Sequence, residues 1–246
     1  MSYKKSILIT GVSGGIGSAI AIFFKEKGYE VYGIDIENTL QDGIVDEFFQ
    51  IDLNKLCQDE NYRTSSFNQI KTKVNKINVL INNAAVQILD SFQNIKWEDW
   101  MSTFNVNVNS AFLLSQFFSS DLIANQGSII NIGSIHNELT KPEFIAYATS
   151  KSALVGLTKA MAVDLKDKIR VNCISPAAIE TDMLRAGFNN DENSISRLKF
   201  LHPSQTIGKP SDIAELCYFL VSKNIFFLHG SNITLDGGIS SVLHDL

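Results

Sequence analysis

The chain has 246 residues, 45% of them hydrophobic and 19% charged, and its formal net charge is −5. This length suits one large α/β domain or two small ones, with ample apolar material for a core. The negative charge argues against an electrostatic binding surface for nucleic acid, and no block of like charges resembles a polybasic membrane anchor.

The N-terminal segment and the cysteines bear on the compartment. The chain begins with two lysines and only a short apolar run, whereas a signal peptide needs a longer apolar core and a small-residue cleavage site. Cys57, Cys173 and Cys217 are too widely spaced for a disulfide framework or a metal ribbon. We therefore expect a cytoplasmic protein without a bound metal, in which each cysteine is a small buried apolar side chain.

Short apolar runs alternate with helical patterns along the chain. The apolar runs predict seven strands, at Ser6–Thr10, 31–34, 48–51, 79–81, Ser128–Ile132, 170–174 and Asn232–Leu235. Helical patterns predict helices at 16–27, 97–120, 146–165 and 211–221, and a polar, mostly exposed helix at 65–76. We expect Gly28 to end the first helix and Ser211 to cap the last.

The order of these elements predicts the fold. Strands that are almost wholly apolar, separated by helices, are typical of a parallel sheet that is covered on both faces. The sequence holds no repeat and no linker rich in Pro, Gly or Ser. We therefore predict one α/β domain with a Rossmann-like, doubly wound parallel sheet of about seven strands.

Residues 182–207 break this rhythm with clusters of Asn, Asp and Ser. We predict an irregular excursion that acts as a substrate lid, because long loops of this kind are often functional. A surface insertion without a role is the alternative. Phe188 and Phe200 favour an apolar lid, unless they pack in the core or at an interface.

Glycines cluster where the first strand turns into the first helix, with Gly11, Gly15 and Gly17 in the segment TGVSGGIG. A glycine lets the backbone turn sharply, and its missing Cβ lets a pyrophosphate approach the N–H groups at a helix N-terminus. The alternative is a plain tight turn between a strand and a helix.

An acid ends the second predicted strand. Asp35 lies eighteen positions after Gly17, near the place of a ribose-binding acid. Its carboxylate would accept hydrogen bonds from the adenosine ribose and repel a 2′-phosphate, and no Arg or Lys nearby offsets that repulsion. The sequence therefore predicts NAD rather than NADP, with a solvated acid at a strand end as the alternative.

Tyr147 and Lys151 lie four positions apart in a predicted helix, so both project from one face. A free phenol has a pKa near 10, so only about one in a thousand is ionised at neutral pH. A nearby ammonium stabilises the phenolate, and a partly desolvated site enlarges this electrostatic effect. Tyr147 can then exchange a proton with an alcohol or carbonyl oxygen. An exposed surface pair is the alternative.

Three further polar residues extend this hypothesis. Ser134 closes the fifth strand at the sheet edge that binds ligands, where its hydroxyl would donate to a substrate oxygen or cap a turn. Asn107 lies in an otherwise apolar helix, where it either holds a water linking Lys151 to solvent or satisfies a neighbouring carbonyl. His136 follows Ser134 and either contacts substrate or lies at the surface.

These motifs occur in a familiar order and spacing. The set comprises Thr10-Gly-x-x-x-Gly-Ile-Gly17, Asn82-Asn83-Ala84-Ala85, Asn107, Ser134, Tyr147-x-x-x-Lys151 and Ser175-Pro176. The sequence resembles the short-chain dehydrogenases/reductases, in particular their compact single-domain branch, from about residue 5 to Gly238. Each motif alone is weak evidence for the family, but all of them together, in this order and at these spacings, are specific to it.

The resemblance implies NAD(H)-dependent interconversion of a secondary alcohol and a carbonyl compound by four residues. In that family the serine (Ser134) orients the substrate and the tyrosine (Tyr147) is the general acid/base. The lysine (Lys151) lowers the tyrosine pKa and binds the nicotinamide ribose, and the asparagine (Asn107) holds a relay water.

The resemblance also implies the cofactor contacts. They are Gly11, Ser13, Gly15, Ile16 and Gly17 at the pyrophosphate and nearby ribose; Asp35 at the adenosine ribose; Asp52 and Leu53 at adenine; Asn83 and Ala84 along the cofactor channel; Tyr147, Lys151, Pro176, Ile179 and Thr181 at the nicotinamide end. The ending Asp236-Gly237-Gly238 suggests a homotetramer or dimer built through the long helices.

Two positions depart from the family pattern. Ala85 and Ala177 stand where glycine is usual, and each adds a methyl where the backbone tends to run close to a neighbour. Neither removes a catalytic group, so we expect activity with a small-molecule alcohol or ketone. Hydroxy-steroids, sugars, hydroxyacyl thioesters and small diols all stay open as its class.

Three rival functions stay open on the sequence. One is a dinucleotide-binding regulatory protein without turnover, and a second is an NADP-linked carbonyl reductase. The third is a sugar-nucleotide epimerase or dehydratase, although the residues after Thr181 leave little room for the added substrate domain of those enzymes.

Overall fold

A parallel β-sheet forms the centre of the protein in a computed structural model, which describes residues 4–37, 40, 42–223 and 225–243. The strands are β1 (Ser6–Thr10), β2 (Glu30–Asp35), β3 (Glu47–Gln50), β4 (Val79–Asn82), β5 (Ser128–Ile132), β6 (Arg170–Pro176) and β7 (Asn232–Leu235). They pair in parallel in the order β3-β2-β1-β4-β5-β6-β7. The connections reverse direction between β1 and β4, and the crevice that ligands occupy in such sheets opens there.

Helices cover both faces of this sheet. They are α1 (Gly15–Glu26), α2 (Leu53–Gln58), α3 (Glu60–Lys73), α4 (Trp97–Phe104), α5 (Ser110–Phe117), α6 (Ser119–Ala124), α7 (Ile145–Leu165), α8 (Asp182–Gly187), α9 (Glu192–Leu201) and α10 (Pro210–Ser222). No helix in the described ranges combines the length and apolar character that a membrane span requires.

Alternate residues of the central strands feed two hydrophobic cores. Ile7 and Ile9 of β1 pack in one core with Phe24 of α1, whereas Leu8 packs in the other with Leu114 of α5. Side chains that alternate along a strand point to opposite faces of the sheet. This arrangement confirms the predicted single-domain, doubly wound fold.

Two helices connect β3 to β4, where the sequence predicted only one at 65–76. Asp52 caps α2 by accepting hydrogen bonds from the N–H groups of Asn54 (2.8 Å) and Lys55 (3.1 Å). Asp59 caps α3 by accepting from the N–H of Tyr62 (3.0 Å). Each aspartate starts a new helix because its carboxylate satisfies N–H groups that lack a partner within the helix.

The predicted long helix at 97–120 is interrupted. A π-helical turn, Asn105–Asn109, separates α4 from α5, and Phe118 separates α5 from α6. Wider turns of this kind often occur at functional sites. Here the turn carries Asn107 inward, and its side chain is bound to another segment of the chain.

The prediction of an irregular excursion at 182–207 was wrong, because the segment contains α8 and α9. Thr181 accepts a hydrogen bond from the N–H of Leu184 (3.3 Å), and Asp191 accepts from the N–H of Ser194 (3.0 Å). The polar residues that indicated a loop are therefore partly helix caps.

The start of the last helix also differs from the prediction. α10 begins at Pro210, before Ser211, and the Asp212 carboxylate accepts a hydrogen bond from the N–H of Lys209 (2.8 Å). A proline in the first helical position loses no hydrogen bond, because the N–H groups there have no partner within the helix. Gly28 follows the end of α1, as predicted.

Candidate active site

The glycine turn lies at the carboxyl end of β1. Gly11 adopts a φ of +65°, and a Cβ added there would lie 2.8 Å from the Ala84 Cα atom. A Cβ on Gly17 would overlap the carbonyl oxygen of Gly11. Both positions therefore require glycine, and the backbone at the start of α1 is free of side chains that would keep a pyrophosphate away.

Thr10 ties this turn to the end of β4. Its Oγ1 accepts hydrogen bonds from the N–H groups of Asn83 and Ala84, both 3.0 Å long. The Asn83 side chain donates to the carbonyl oxygens of Thr10 and Gly11, also at 3.0 Å. Asn83 and Ala84 thus lie beside the glycine turn. The part of Thr10 in this arrangement was missed, since its partners are more than seventy positions away.

Asp35 reaches the glycine turn from the end of β2. Its carboxylate accepts hydrogen bonds from the N–H of Ser13 (2.8 Å) and of Ile36 (2.7 Å). The Ser13 hydroxyl donates to the carbonyl oxygen of Glu37 (2.8 Å). The structure therefore brings Asp35 and Ser13 together, and none of the described cations forms an ion pair with this carboxylate.

The remaining predicted cofactor residues lie around the same sheet edge. Asp52 is engaged as the cap of α2, and Leu53 is buried in the core beneath it. Ile16 is half-buried against the other core. On the opposite side of the crevice, Ile179 is buried, and Thr181 contacts Gly15, where an added Cβ would lie 2.9 Å from the threonine methyl.

Lys151 is buried beneath Tyr147 on α7. Its Nζ atom donates a hydrogen bond to the carbonyl oxygen of Ile132 (2.8 Å) and lies 5.5 Å from the centre of the Tyr147 ring. Burial lowers the pKa of Lys151 to about 8. None of the described carboxylates forms an ion pair with it.

Tyr147 lies next to Ser134, which follows β5. Burial raises the pKa of the Tyr147 phenol, and the hydrogen bond with the Ser134 side chain acts in the opposite direction. The Ser134 hydroxyl also accepts a hydrogen bond from the N–H of His136 (3.2 Å). The serine therefore caps a short 3-10 turn and contacts the phenol, so both predicted roles are compatible with its position.

Asn107 connects the π-helical turn to this pair. Its Oδ1 accepts from the N–H of Val86 (2.8 Å), and its Nδ2 donates to the Val86 carbonyl (3.0 Å) and to the Ser150 hydroxyl (2.9 Å). Ser150 in turn donates to the Tyr147 carbonyl (2.7 Å). Of the two alternatives for Asn107, this geometry favours the one in which its amide satisfies neighbouring groups.

The matching family model, described as enoyl-(acyl carrier protein) reductase, covers residues 11–240, nearly the whole chain. The chain belongs to the short-chain dehydrogenases/reductases. Members of this family are oxidoreductases that bind a nicotinamide dinucleotide, and the glycine turn described above fits such a group.

Relatives of this short-chain dehydrogenase/reductase act on different substrates. The NAD-dependent glycerol dehydrogenase of Listeria innocua is 31% identical over 95% of this chain and 93% of its own. A 3-oxoacyl-[acyl-carrier-protein] reductase of Thermotoga maritima is 32% identical over 96% of this chain and 97% of its own. The ligand-free aldohexose dehydrogenase of Thermoplasma acidophilum superposes with a TM-score of 0.91 at 29% identity, covering 99% and 96% of the two chains.

Aromatic side chains form one wall of the site in this member of the family. The His136 ring stacks on Phe144 with centroids 4.5 Å apart and packs edge-on against Tyr147 at 5.7 Å. Burial, aided by the positive charge of Lys141, lowers the pKa of His136 to about 4. His136 therefore lies beside the predicted catalytic residues and is neutral at physiological pH.

The segment that contains α8 and α9 contacts this wall through Lys141. The Lys141 ammonium lies 4.5 Å from the Phe144 ring centre and 5.9 Å from that of Phe188. Phe200, by contrast, is 76% exposed. Of the two phenylalanines that suggested an apolar lid, only Phe188 is near the site wall. Lys141 and Phe144 could not be identified from the sequence, because neither belongs to a motif.

Ala85 and Ala177 are the two departures from the family pattern. At position 177 the backbone keeps its hydrogen bond to the neighbouring strand. Pro176 ends β6, and the N–H of Ala177 donates to the Leu235 carbonyl of β7 (3.1 Å). Ala85 is half-buried between the Asn83–Ala84 segment and Val86. Both alanines are half-buried in this short-chain dehydrogenase/reductase.

Proposed function

We propose that this protein is an NAD-dependent dehydrogenase that interconverts a secondary alcohol and a carbonyl compound, with Tyr147 as its general acid/base. The observation that carries the proposal is the position of the phenol, whose ring centre lies 5.5 Å from the buried ammonium of Lys151 and which interacts with the Ser134 side chain. All three lie at the carboxyl end of the sheet, where folds of this type bind ligands.

The proposed chemistry divides the work among three side chains. Ser134 donates a hydrogen bond to the substrate oxygen and holds it beside the phenol. In the oxidation, Tyr147 takes the proton of the alcohol oxygen, and in the reduction it returns a proton to the carbonyl oxygen. When bound, a nicotinamide dinucleotide would accept the hydride of the carbinol carbon in the oxidation and would donate it to the carbonyl carbon in the reduction. Lys151, with a pKa of about 8, is mostly protonated at neutral pH and stabilises the phenolate form.

Asn107 has a positioning role in this proposal. Its amide holds Ser150, and Ser150 holds the carbonyl of Tyr147. We infer that this chain of hydrogen bonds fixes the first turn of α7 and thereby the phenol. The relay water that the family resemblance implies would have to bind beside Asn107 when the cofactor and substrate are bound.

The preference for NAD rests on Asp35. Its carboxylate lies against the turn that would bind the pyrophosphate, at 2.8 Å from the Ser13 nitrogen, so a 2′-phosphate nearby would meet an uncompensated negative charge. The predicted contacts of Gly11, Gly17, Asn83 and Thr181 are part of the same proposal.

We further propose a cytoplasmic homo-oligomer with a lid at 182–207. Trp97 of α4 and Phe112 of α5 are exposed apolar side chains, at 68% and 45%, and packing of these helices between two copies would bury them. The three free cysteines suit a reducing compartment.

Absorbance of NADH, followed with a panel of secondary alcohols and with NAD or NADP supplied, tests this function. The proposal expects turnover with at least one alcohol and a higher kcat/KM with NAD than with NADP. Saturable binding of NADH without turnover of any alcohol would favour the rival, a dinucleotide-binding regulatory protein.

A further inference from the structure

His136 occupies an unusual position between two of the proposed catalytic side chains. Its backbone N–H donates to the Ser134 hydroxyl (3.2 Å), and its ring packs against the Tyr147 ring with centroids 5.7 Å apart. Any substrate whose reacting oxygen lies between Ser134 and Tyr147 is therefore close to the imidazole.

The surroundings of His136 leave one polar atom for a ligand. One face of the ring is covered by Phe144, which stacks on it at an angle of 13°. The Nδ1 atom lies 3.3 Å from the Thr140 hydroxyl. The other ring nitrogen, Nε2, has no hydrogen-bond partner among the described residues, so a neutral imidazole offers it as an additional donor or acceptor.

We infer that His136 selects substrates that carry a second hydroxyl or carbonyl oxygen on the carbon adjacent to the one that reacts. This inference rests on the proposed function, because it requires the reacting oxygen to bind Ser134 and Tyr147. The His136 backbone is bonded to Ser134 and its ring packs against the Tyr147 ring, so from the reacting oxygen the imidazole reaches the neighbouring substituent. The substrate class is thus vicinal diols in the oxidation and hydroxyketones in the reduction.

The other groups near the imidazole are aromatic rings and the Lys141 ammonium, which lies against the Phe144 ring. Phe144 lines the same wall. Phe188, in the segment between β6 and α10, lies near it, because the Lys141 ammonium contacts the rings of both phenylalanines. The low pKa of His136, about 4, keeps the imidazole neutral, so it recognises a hydroxyl or carbonyl by hydrogen bonding rather than by charge.

Paired substrates test this inference. We would measure kcat/KM with NAD for butane-2,3-diol and butan-2-ol, and for 1,2-cyclohexanediol and cyclohexanol. The variants are His136→Phe, which keeps an aromatic ring on Phe144, and His136→Gln, which restores a hydrogen-bonding group of similar reach. The ratio of diol to mono-alcohol is the readout, because a general loss of activity cancels in it.

We expect the wild type to prefer at least one diol over its mono-alcohol. His136→Phe should lower that preference about tenfold, because it removes one hydrogen bond to the bound substrate. His136→Gln is expected to retain more of the preference than His136→Phe. An equal ratio in the wild type and His136→Phe, or a wild-type preference for both mono-alcohols, overturns the inference.

A binding measurement separates this inference from the proposed function. Dissociation constants of the same alcohols are measured by calorimetry on protein saturated with NAD. A preference for a diol that is lost in His136→Phe supports the binding role even if no alcohol is turned over, in which case only the proposed reaction fails. Equal diol and mono-alcohol affinities in the wild type overturn the role of His136.

Discussion

Lys151 donates a hydrogen bond from its buried ammonium to the backbone carbonyl of Ile132 (2.8 Å). Ile132 is the last residue of β5, two positions before Ser134. The lysine therefore joins α7 to the strand that carries the serine, and this contact fixes the distance between the two halves of the site. A buried cation without a carboxylate partner destabilises the fold, so its retention points to a functional role.

The buried lysine predicts a specific pH dependence of stability. The pKa of Lys151 is about 8 in the folded protein against an ordinary value of 10.5, so between these values the unfolded chain binds more protons. The free energy of unfolding therefore rises with pH in this window, by about 3 kcal/mol in total for a shift of this size. Below pH 8 the penalty for burying the charge is present in full.

Urea denaturation of the wild type and Lys151→Met at pH 7, 8 and 9.5 measures this contribution. The difference in unfolding free energy between the two proteins should move in favour of the wild type as the pH rises. Lys151→Met should be as stable as the wild type or more so at pH 7. A difference that is constant with pH would show that Lys151 is not a desolvated cation.

Asp35 predicts a change in cofactor preference. Asp35→Asn keeps atoms that can bind the ribose and removes the charge, so affinity for NADPH should rise by about tenfold or more, since removal of one close repulsive charge is worth a few kcal/mol at most. Glu37→Gln makes the same change in net charge two positions away and serves as the control. Fluorescence titration with NADH and NADPH measures both.

The outcome for Asp35 is clear in either direction. If Asp35→Asn and Glu37→Gln alter NADPH affinity equally, the effect is one of net charge, and the carboxylate of Asp35 does not lie at the ribose. Tighter binding of NADPH than NADH by the wild type would also contradict the proposed preference.

Asn107 predicts a coupled loss of stability and activity. Asn107→Ala leaves the N–H and carbonyl of Val86 without their partners, which should cost about 1–3 kcal/mol of unfolding free energy. It also removes the donor that holds the Ser150 hydroxyl, which in turn holds the Tyr147 carbonyl, so kcat should fall more than KM rises. Ser150→Ala cuts only the second link, and we expect it to lower kcat with a smaller loss of stability. A Ser150→Ala protein with wild-type kcat would exclude the positioning role.

The sheet could be predicted because each strand is recognisable from its own short stretch of sequence. Ile7, Leu8 and Ile9 form an apolar run whatever the rest of the chain does, and the actual strands differ from the predicted ones by a few residues at their ends. The helices of 182–207 were missed for a physical reason. Asp191 is common in turns and equally suited to cap a helix, and its local sequence does not distinguish the two roles.

The site motifs were visible in the sequence, but their connections were not. Thr10 and Asn83 are bonded across the gap between β1 and β4, and Asn107 is bonded to Val86 from a π-helical turn. The first pair depends on the order of the strands in the sheet, and the second depends on a local widening of a helix. Residue spacing along the chain reveals neither feature. His136 was left open for the same reason, since its contact with Phe144 depends on how the loop before α7 folds back.

The central claim is that the phenol of Tyr147 exchanges the proton of the reacting oxygen. The most direct measurement is kcat/KM of Tyr147→Phe against the wild type, at saturating NAD with the alcohol that the wild type oxidises best. Removal of the phenol oxygen should lower kcat/KM by about 10²–10⁴-fold, the usual contribution of a general acid/base. A Tyr147→Phe protein whose kcat/KM lies within about threefold of the wild-type value would contradict the account, because so small a loss is far below the contribution of a general acid/base.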